Sequence, residues 1–220
     1  MTAPLTAIKF GTDGWRAVIA RDYTFENVER VAQAYADYLL KEGSAGPLVV
    51  IGYDRRFLSE MFAQRAAEVL AGNGIMISLF NEAAPTPLIS WAVKELNAQG
   101  GVVITASHNP PDFNGFKIKA PWGGSASPAT TAAVEKLVDA QEPKRAALAT
   151  KQSDLLVPAI ESYRAQIDSY IDLDRLRKAK ASVVVDPMHG SAGNWVESFL
   201  NGGELKVETI RGYRDPLFGS

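Results

Sequence analysis

Gly101-Val102-Val103-Ile104-Thr105-Ala106-Ser107-His108-Asn109-Pro110-Pro111 is an apolar run that breaks into a polar, proline-stiffened loop. A short continuous apolar run bounded by turn residues reads as a strand buried on both faces. Two such runs precede it, Leu48-Val49-Val50-Ile51 and Ile75 to Phe80. Helical spacing separates the three. From Thr24, apolar residues fall at Phe25, Val28, Val31, Ala32, Tyr35 and Leu39, one face of a helix. Met61, Phe62, Ala66, Val69 and Leu70 share a face between Ser59 and Leu70. Thr86-Pro87 reads as an N-cap followed by proline at the first helical position, opening a helix through Leu96. Strands separated by helices imply right-handed crossovers. The expected fold is α/β, with a mixed, mostly parallel sheet and helices on both faces.

Further along, Phe116-Lys117-Ile118-Lys119 alternates as a strand or hairpin arm would, and Ser127-Pro128 starts a helix to about Ala140. Residues 141–154 are polar, contain Pro143 and lack a strong period, which places a linker there. Beyond it come a helix from Ile160 to Tyr170, a strand Ser182 to Val185, a helix Gly193 to Leu200 and a strand Leu205 to Ile210. The expectation is a complete first domain over residues 1–145 and a partial second over 155–220. One strand–helix–strand unit is too little to cover both faces of a sheet, so the chain reads as cut short. An apolar sheet face left open in this way invites self-association.

Of 220 residues, 46% are apolar and 22% charged, which excludes wholesale disorder. A net charge of −2 gives no bulk attraction for nucleic acid, although a local site for a small anion stays open. The absence of cysteine excludes disulfides, a thiolate nucleophile and a cysteine zinc site. Two histidines, His108 and His189, are too few for a histidine-rich metal site. Met1 to Phe10 lacks a signal-peptide pattern, and no apolar run approaches the ~20 residues of a membrane span. The expected setting is cytoplasmic, away from membranes.

In sheets of this class ligands bind beyond the carboxyl ends of the strands. The loop from Thr105 to Lys117 gathers hydroxyls, an imidazole, amides and an ammonium in such a place. Adjacent side chains of an extended segment point to opposite faces, so His108 is not expected to hydrogen-bond Ser107. No Gly-x-Ser-x-Gly elbow is present either, which argues against a serine hydrolase. A hydroxyl that carries a phosphoryl group asks for cations to spread charge and a group to move a proton. Lys117 and His108 could supply these, although composition alone favours an ordinary polar turn with an incidental histidine.

Phe10-Gly11-Thr12-Asp13-Gly14-Trp15-Arg16 offers close backbone approach and a guanidinium fork for phosphate, but by itself it reads first as an ordinary hairpin turn. In Gly52-Tyr53-Asp54-Arg55-Arg56 an Asp54–Arg55 ion pair would shape the loop. Asp186 to Gly193 lies between a strand and a helix, where backbone amides can hold an anion, and a close-packed strand–helix turn explains it equally well. Asp172-Leu173-Asp174 reads as part of a solvated helix end and not as a metal pair.

Together these segments resemble the α-D-phosphohexomutase family, in particular its bacterial phosphoglucomutase/phosphomannomutase members. Ile104 to Pro111, followed by Asn114-Gly115-Phe116-Lys117, is similar to that family's phosphoserine loop, and Phe10 to Arg16 to its N-terminal signature. Gly52 to Arg55 and Asp186 to Gly190 fall where further family segments lie.

The resemblance implies phosphorylation of Ser107, and His108 and Lys117 as acid/base candidates. It implies Arg16, Thr12 and Asn109 around the substrate's phosphate. The implied reaction moves phosphate between C1 and C6 of a hexose through a sugar bisphosphate, with Mg²⁺ bound partly through the Ser107 phosphate and glucose 1,6-bisphosphate as activator. The family's metal loop alternates three aspartates with glycines, and no such run occurs here. The later sugar-recognition segment and the C-terminal phosphate-binding domain are missing too. The expectation is therefore an N-terminal portion with little or no activity alone. The alternatives are a naturally short, non-catalytic regulatory protein and a general sugar-phosphate-binding domain. The Phe116-Lys117 ending leans towards glucose or mannose over glucosamine by resemblance only.

Overall fold

The computed structural model of the chain describes residues 6–43, 46–148 and 156–219. Its first part runs β1 (Gly14–Val18), α1 (Phe25–Lys41), β2 (Leu48–Tyr53), α2 (Ser59–Gly72), β3 (Met76–Leu79), α3 (Thr86–Glu95), β4 (Gly100–Ile104), β5 (Phe113–Lys119) and α4 (Pro128–Glu135). There follow α5 (Leu156–Asp168), α6 (Leu173–Arg177), β6 (Ser182–Val185), α7 (Trp195–Leu200) and β7 (Lys206–Thr209).

The first five strands form one sheet in the order β1-β5-β4-β2-β3. β2 pairs in parallel with β3 and β4, and β5 runs antiparallel between β4 and β1. Four of the five strands therefore point the same way and β5 alone is reversed.

The apolar runs are buried on both sides, as their lack of alternation requires. Val49, Ile51, Val102 and Ile104 pack under α1 and α2, while Val50 and Val103 pack under Leu88, Ile89 and Val93 of α3. Thr24 caps α1, its hydroxyl accepting the Asn27 N–H at 3.2 Å. Trp15 stacks on Tyr23 with ring centroids 4.7 Å apart, and Tyr23 meets Phe62 edge-on at 4.8 Å. Such pairs add about 0.5–1.5 kcal/mol each beyond area burial, enough to pin the edge strand β1 to the core.

Several boundaries differ from those the sequence predicts. β1 is a strand where Phe10 to Arg16 reads as a turn. Its inward residues are Trp15 and Ala17, and the glycines of the segment mask that alternation. α3 opens one residue early, with Pro85 as N-cap and no side-chain cap bond from Thr86. α4 stops at Glu135 and continues to Ala140 as i→i+3 turns, a tighter winding that keeps Val134 and Val138 inward. Asp172 begins a helix rather than belonging to the end of one: its carboxylate accepts the Arg175 N–H at 2.8 Å.

Of the linker expected over 141–154, residues 149–154 lie outside the described residues. The described part is strapped across two helices, Lys144 N–H donating to Gln33 Oε1 and Ala146 N–H to the Glu68 carbonyl, both at 3.0 Å. α5 packs on α3, with Ala159 in that core and Trp91 Nε1 donating to Ser162 Oγ at 2.7 Å. β6 and β7 form a separate two-stranded parallel sheet that leaves Val183 and Val184 exposed. Among the described residues no helix is long and apolar enough to cross a membrane.

Candidate functional site

The loop leaving β4 is built by local hydrogen bonds before any long-range contact. The Ser107 N–H donates back to Thr105 Oγ1 at 3.0 Å, and the Asn109 N–H to the Ala106 carbonyl at 3.2 Å. This turn puts Ser107 at φ 60°, in the left-handed region that side chains other than glycine seldom occupy. The expectation that Ser107 and His108 diverge is corrected here. Alternation holds only for extended backbone, and the left-handed residue brings Ser107 Oγ to 3.4 Å from His108 Nδ1, both side chains exposed.

Asp54, at the end of β2, fixes the loop from below. Its carboxylate accepts Thr105 Oγ1–H at 2.6 Å, Ser59 Oγ–H at 2.8 Å and the Arg56 N–H at 3.0 Å. Its ion pair is with Arg56, at 3.2 Å, and not with Arg55 as the sequence suggests. Arg55 turns away to donate to the Gly212 carbonyl at 2.7 Å. Burial pushes the Arg56 guanidinium down from its ordinary pKa, against the opposing pull of Asp54. Asn114, fully buried, donates to Ser59 Oγ at 2.9 Å and accepts the Gly115 N–H at 2.8 Å, tying β5 to the same network.

A second group lies on the face of β1 and β5 opposite Trp15 and Phe116. By strand alternation Arg16, Gly115, Lys117 and Lys119 share that face. Gly115 pairs with Arg16, and a Cβ on it would come 2.6 Å from the Thr105 carbonyl and 2.9 Å from Arg16 Cγ. The bare glycine thus lets the arginine stem cross β5 towards the β4 loop. Asp13 bridges the cations, 2.8 Å from Lys117 Nζ and 3.1 Å from Arg16 Nη2. Burial alone would raise the Asp13 carboxyl. The hydrogen bond and charge of Lys117, with the charges of Arg16 and Lys119, outweigh it and hold the group below the usual carboxylate range. Arg16 Nε is buried and has no partner among the described residues.

A cleft of about 310 Å³ opens where the β4 loop meets the C-terminal part, lined by Asp54, Arg55, Thr86, Thr105, Ser107, His108, Gly190, Ser191 and Phe218. Of the residues singled out in the sequence, Ser107 and His108 line it. Arg16 and Lys117 lie on the adjoining strands and do not. Asn109 is not among its lining residues, its carbonyl being held by Arg56 at 2.7 Å, and Thr12 is exposed at the bend before β1. In the segment 186–193, Asp186 pairs with Arg211, with Nε at 3.0 Å from Oδ1, and His189 is buried edge-on against Tyr213. Only Gly190 and Ser191 of that segment reach the cleft.

Sequence reasoning missed Asp13 as a partner of Lys117 and Arg56 as a partner of the loop. Two consecutive arginines after a strand-end aspartate were the available signal for the latter.

A divalent cation finds few donors here. Among the described residues no group of three or more histidine, cysteine or carboxylate side chains could hold a metal. The one carboxylate in the cleft, Asp54, is already committed to Thr105, Ser59 and Arg56.

Residues 7–145 match the phosphoglucomutase/phosphomannomutase family, α/β/α domain I. A phosphoglucomutase/phosphomannomutase from Thermococcus kodakarensis is 33% identical over 213 residues, 95% of this chain and 46% of its own length. A phosphoglucomutase from Komagataeibacter xylinus is 30% identical, matching 96% of this chain and 41% of its own length. The crystal structure of a Thermus thermophilus protein described as a phosphomannomutase superposes with a TM-score of 0.88 at 39% identity, covering 98% of this chain and 48% of its own. The chain therefore spans less than half the length of each of these relatives.

Proposed function

The chain belongs to the phosphoglucomutase/phosphomannomutase family, and on that premise we propose that it carries the phosphoserine part of a phosphohexomutase site. The observation behind this reading is the setting of Ser107. It is an exposed hydroxyl on a left-handed turn at the mouth of a cleft, beside an imidazole. Arg16 and Lys117 on the neighbouring strands would spread phosphate charge. In this reading residues 1–145 are one domain and 155–220 the start of the next.

A phosphoryl group on Ser107 Oγ passes to a hydroxyl of a hexose monophosphate. The O–P bond to the sugar forms as the bond to Oγ breaks, and the sugar's proton leaves to a base. His108, adjacent to Oγ, moves that proton, and Lys117 with Arg16 holds the transferring charge. The sugar bisphosphate returns its other phosphoryl to Ser107, so phosphate moves between C1 and C6 overall. Thr12 and Asn109 are proposed to bind the substrate's phosphate. Glucose and mannose phosphates are the proposed substrates, glucose 1,6-bisphosphate the priming compound, and the cytoplasm the setting.

Mg²⁺ in this family would neutralise charge on the phosphoserine. The described residues do not supply its carboxylate ligands.

The test is intact-mass and peptide analysis after incubation with glucose 1,6-bisphosphate and Mg²⁺. Phosphate on Ser107, absent from Ser107→Ala, is the expected result. No phosphate on the chain, either alone or joined to the C-terminal domains of a relative, overturns the reading. Sugar-phosphate binding without phosphate on Ser107 would favour a binding protein instead.

A further inference from the structure

We infer that Arg56 is the positioning residue for Ser107. Its guanidinium holds the β4 loop in the one conformation that turns the serine hydroxyl into the cleft. The bearing of this on phosphoryl transfer rests on the function proposed above; the clamp itself does not.

Each of the five N–H donors of Arg56 has an acceptor. Nε donates to Asp54 Oδ2 at 3.2 Å. Nη1 donates to the carbonyls of Pro110 at 2.7 Å and Phe113 at 3.1 Å. Nη2 donates to the carbonyls of Ser107 at 2.9 Å and Asn109 at 2.7 Å. Four carbonyls of one short loop thus converge on a single planar cation. Carbonyl dipoles facing one another repel, and a loop of this shape is costly without a cation at its centre. Ser107 adds its own cost through its positive φ. The clamp offsets both. Only arginine suits the role, because its donors are fixed in a planar fork, while a lysine presents three from one point.

Arg56 does not itself reach substrate. Its side chain is 2% exposed and has no N–H left for a phosphate. It acts through the loop and never touches substrate. The C-terminal part closes over it: the Phe218 ring lies 5.2 Å from the guanidinium, and Arg214 Nη2 donates to the Arg56 carbonyl at 3.2 Å.

The experiment is native-state hydrogen exchange by NMR on the full chain, without ligand, comparing wild type with Arg56→Lys and Arg56→Gln. Amides of Ser107 and Asn109 should exchange about tenfold or more faster in both variants, while Val103 and Ile118 in the sheet stay unchanged. Unchanged exchange at Ser107 and Asn109, or equal acceleration throughout the sheet, overturns the proposal. One reading needs no variant, in case both unfold: in wild type the Arg56 Nη protons should be resolved and slow to exchange. Rapid averaging of those signals overturns it equally.

Phosphorylation of Ser107 by glucose 1,6-bisphosphate adds a readout that a purely structural role would not move. The maximal rate should fall at least tenfold in Arg56→Lys with the half-saturating concentration unchanged. A fall in affinity instead would overturn action through the loop alone. A wild-type chain that takes up no phosphate counts against the proposed function and leaves the exchange result to decide this inference.

Discussion

Lys117 Nζ lies 2.8 Å from Asp13 Oδ2, across the antiparallel pairing of β5 with β1. The pair ties the loop before the edge strand to the strand that carries the candidate cations, and Lys117 is only 12% exposed. Asp13→Asn therefore strands a largely buried ammonium. The expected loss is about 1 kcal/mol at neutral pH, discounted for the partial exposure of the carboxylate. The folded pKa of Asp13 is lowered below 3.8, so its contribution is fully present above that value and is lost as pH falls through the folded pKa. Urea unfolding of wild type and Asp13→Asn should differ at pH 7 and converge in acid. A gap that widens on acidification would contradict the assignment.

Gly115→Ala tests the close crossing of β5. The added methyl would meet the Thr105 carbonyl at 2.6 Å and Arg16 Cγ at 2.9 Å, backbone on one side and an arginine stem on the other. Forcing these apart should cost about 1–3 kcal/mol. Thermal unfolding measures it, and a melting temperature equal to wild type would mean the strands have room to spare.

His108 is exposed and, among the described residues, hydrogen-bonds only the Ser107 hydroxyl, so His108→Gln should leave stability unchanged. If the imidazole moves the proton, phosphorylation of Ser107 should slow by roughly 10²–10⁴-fold. An unchanged rate would leave Lys117 as the remaining acid/base candidate.

Ser162→Ala removes the acceptor for the Trp91 indole N–H, 2.7 Å away, on which the docking of α5 against α3 partly depends. Amides of α5 should exchange faster, by an amount equivalent to about 1 kcal/mol, with α1 unaffected. Acceleration in α1 as well would show that the two parts open as one.

The continuous apolar runs at β2 and β4 and the strong period of α1 were legible because burial on both faces, or on one stripe, dictates residue type directly. β1 was hidden by Gly14, whose close approach to Phe116 and Lys117 of β5 leaves no room for a side chain, and the absence of a side chain carries no periodic signal. The candidate site was legible in its residue types and not in its geometry. Ser107 and His108 meet because of one left-handed residue, which no spacing rule reports. Asp54 chooses Arg56 over the adjacent Arg55 because the Arg56 fork also satisfies four carbonyls from a segment some fifty positions away in the chain, contacts that local sequence does not encode. The pairing of Asp13 with Lys117 likewise exists only once β1 and β5 are in register.

The reversed strand β5 sets an order of assembly during synthesis. Among the described residues β1 has no sheet partner except β5, although it leaves the ribosome far earlier. The parallel strands β2, β3 and β4 can pair while the chain is still growing, but β1 must wait, unpaired, until β5 emerges. Arg16 and Asp13 thus join Lys117 at the last closure of the sheet, so a nascent chain gathers its cationic face only when the strand pairing of this domain is finished.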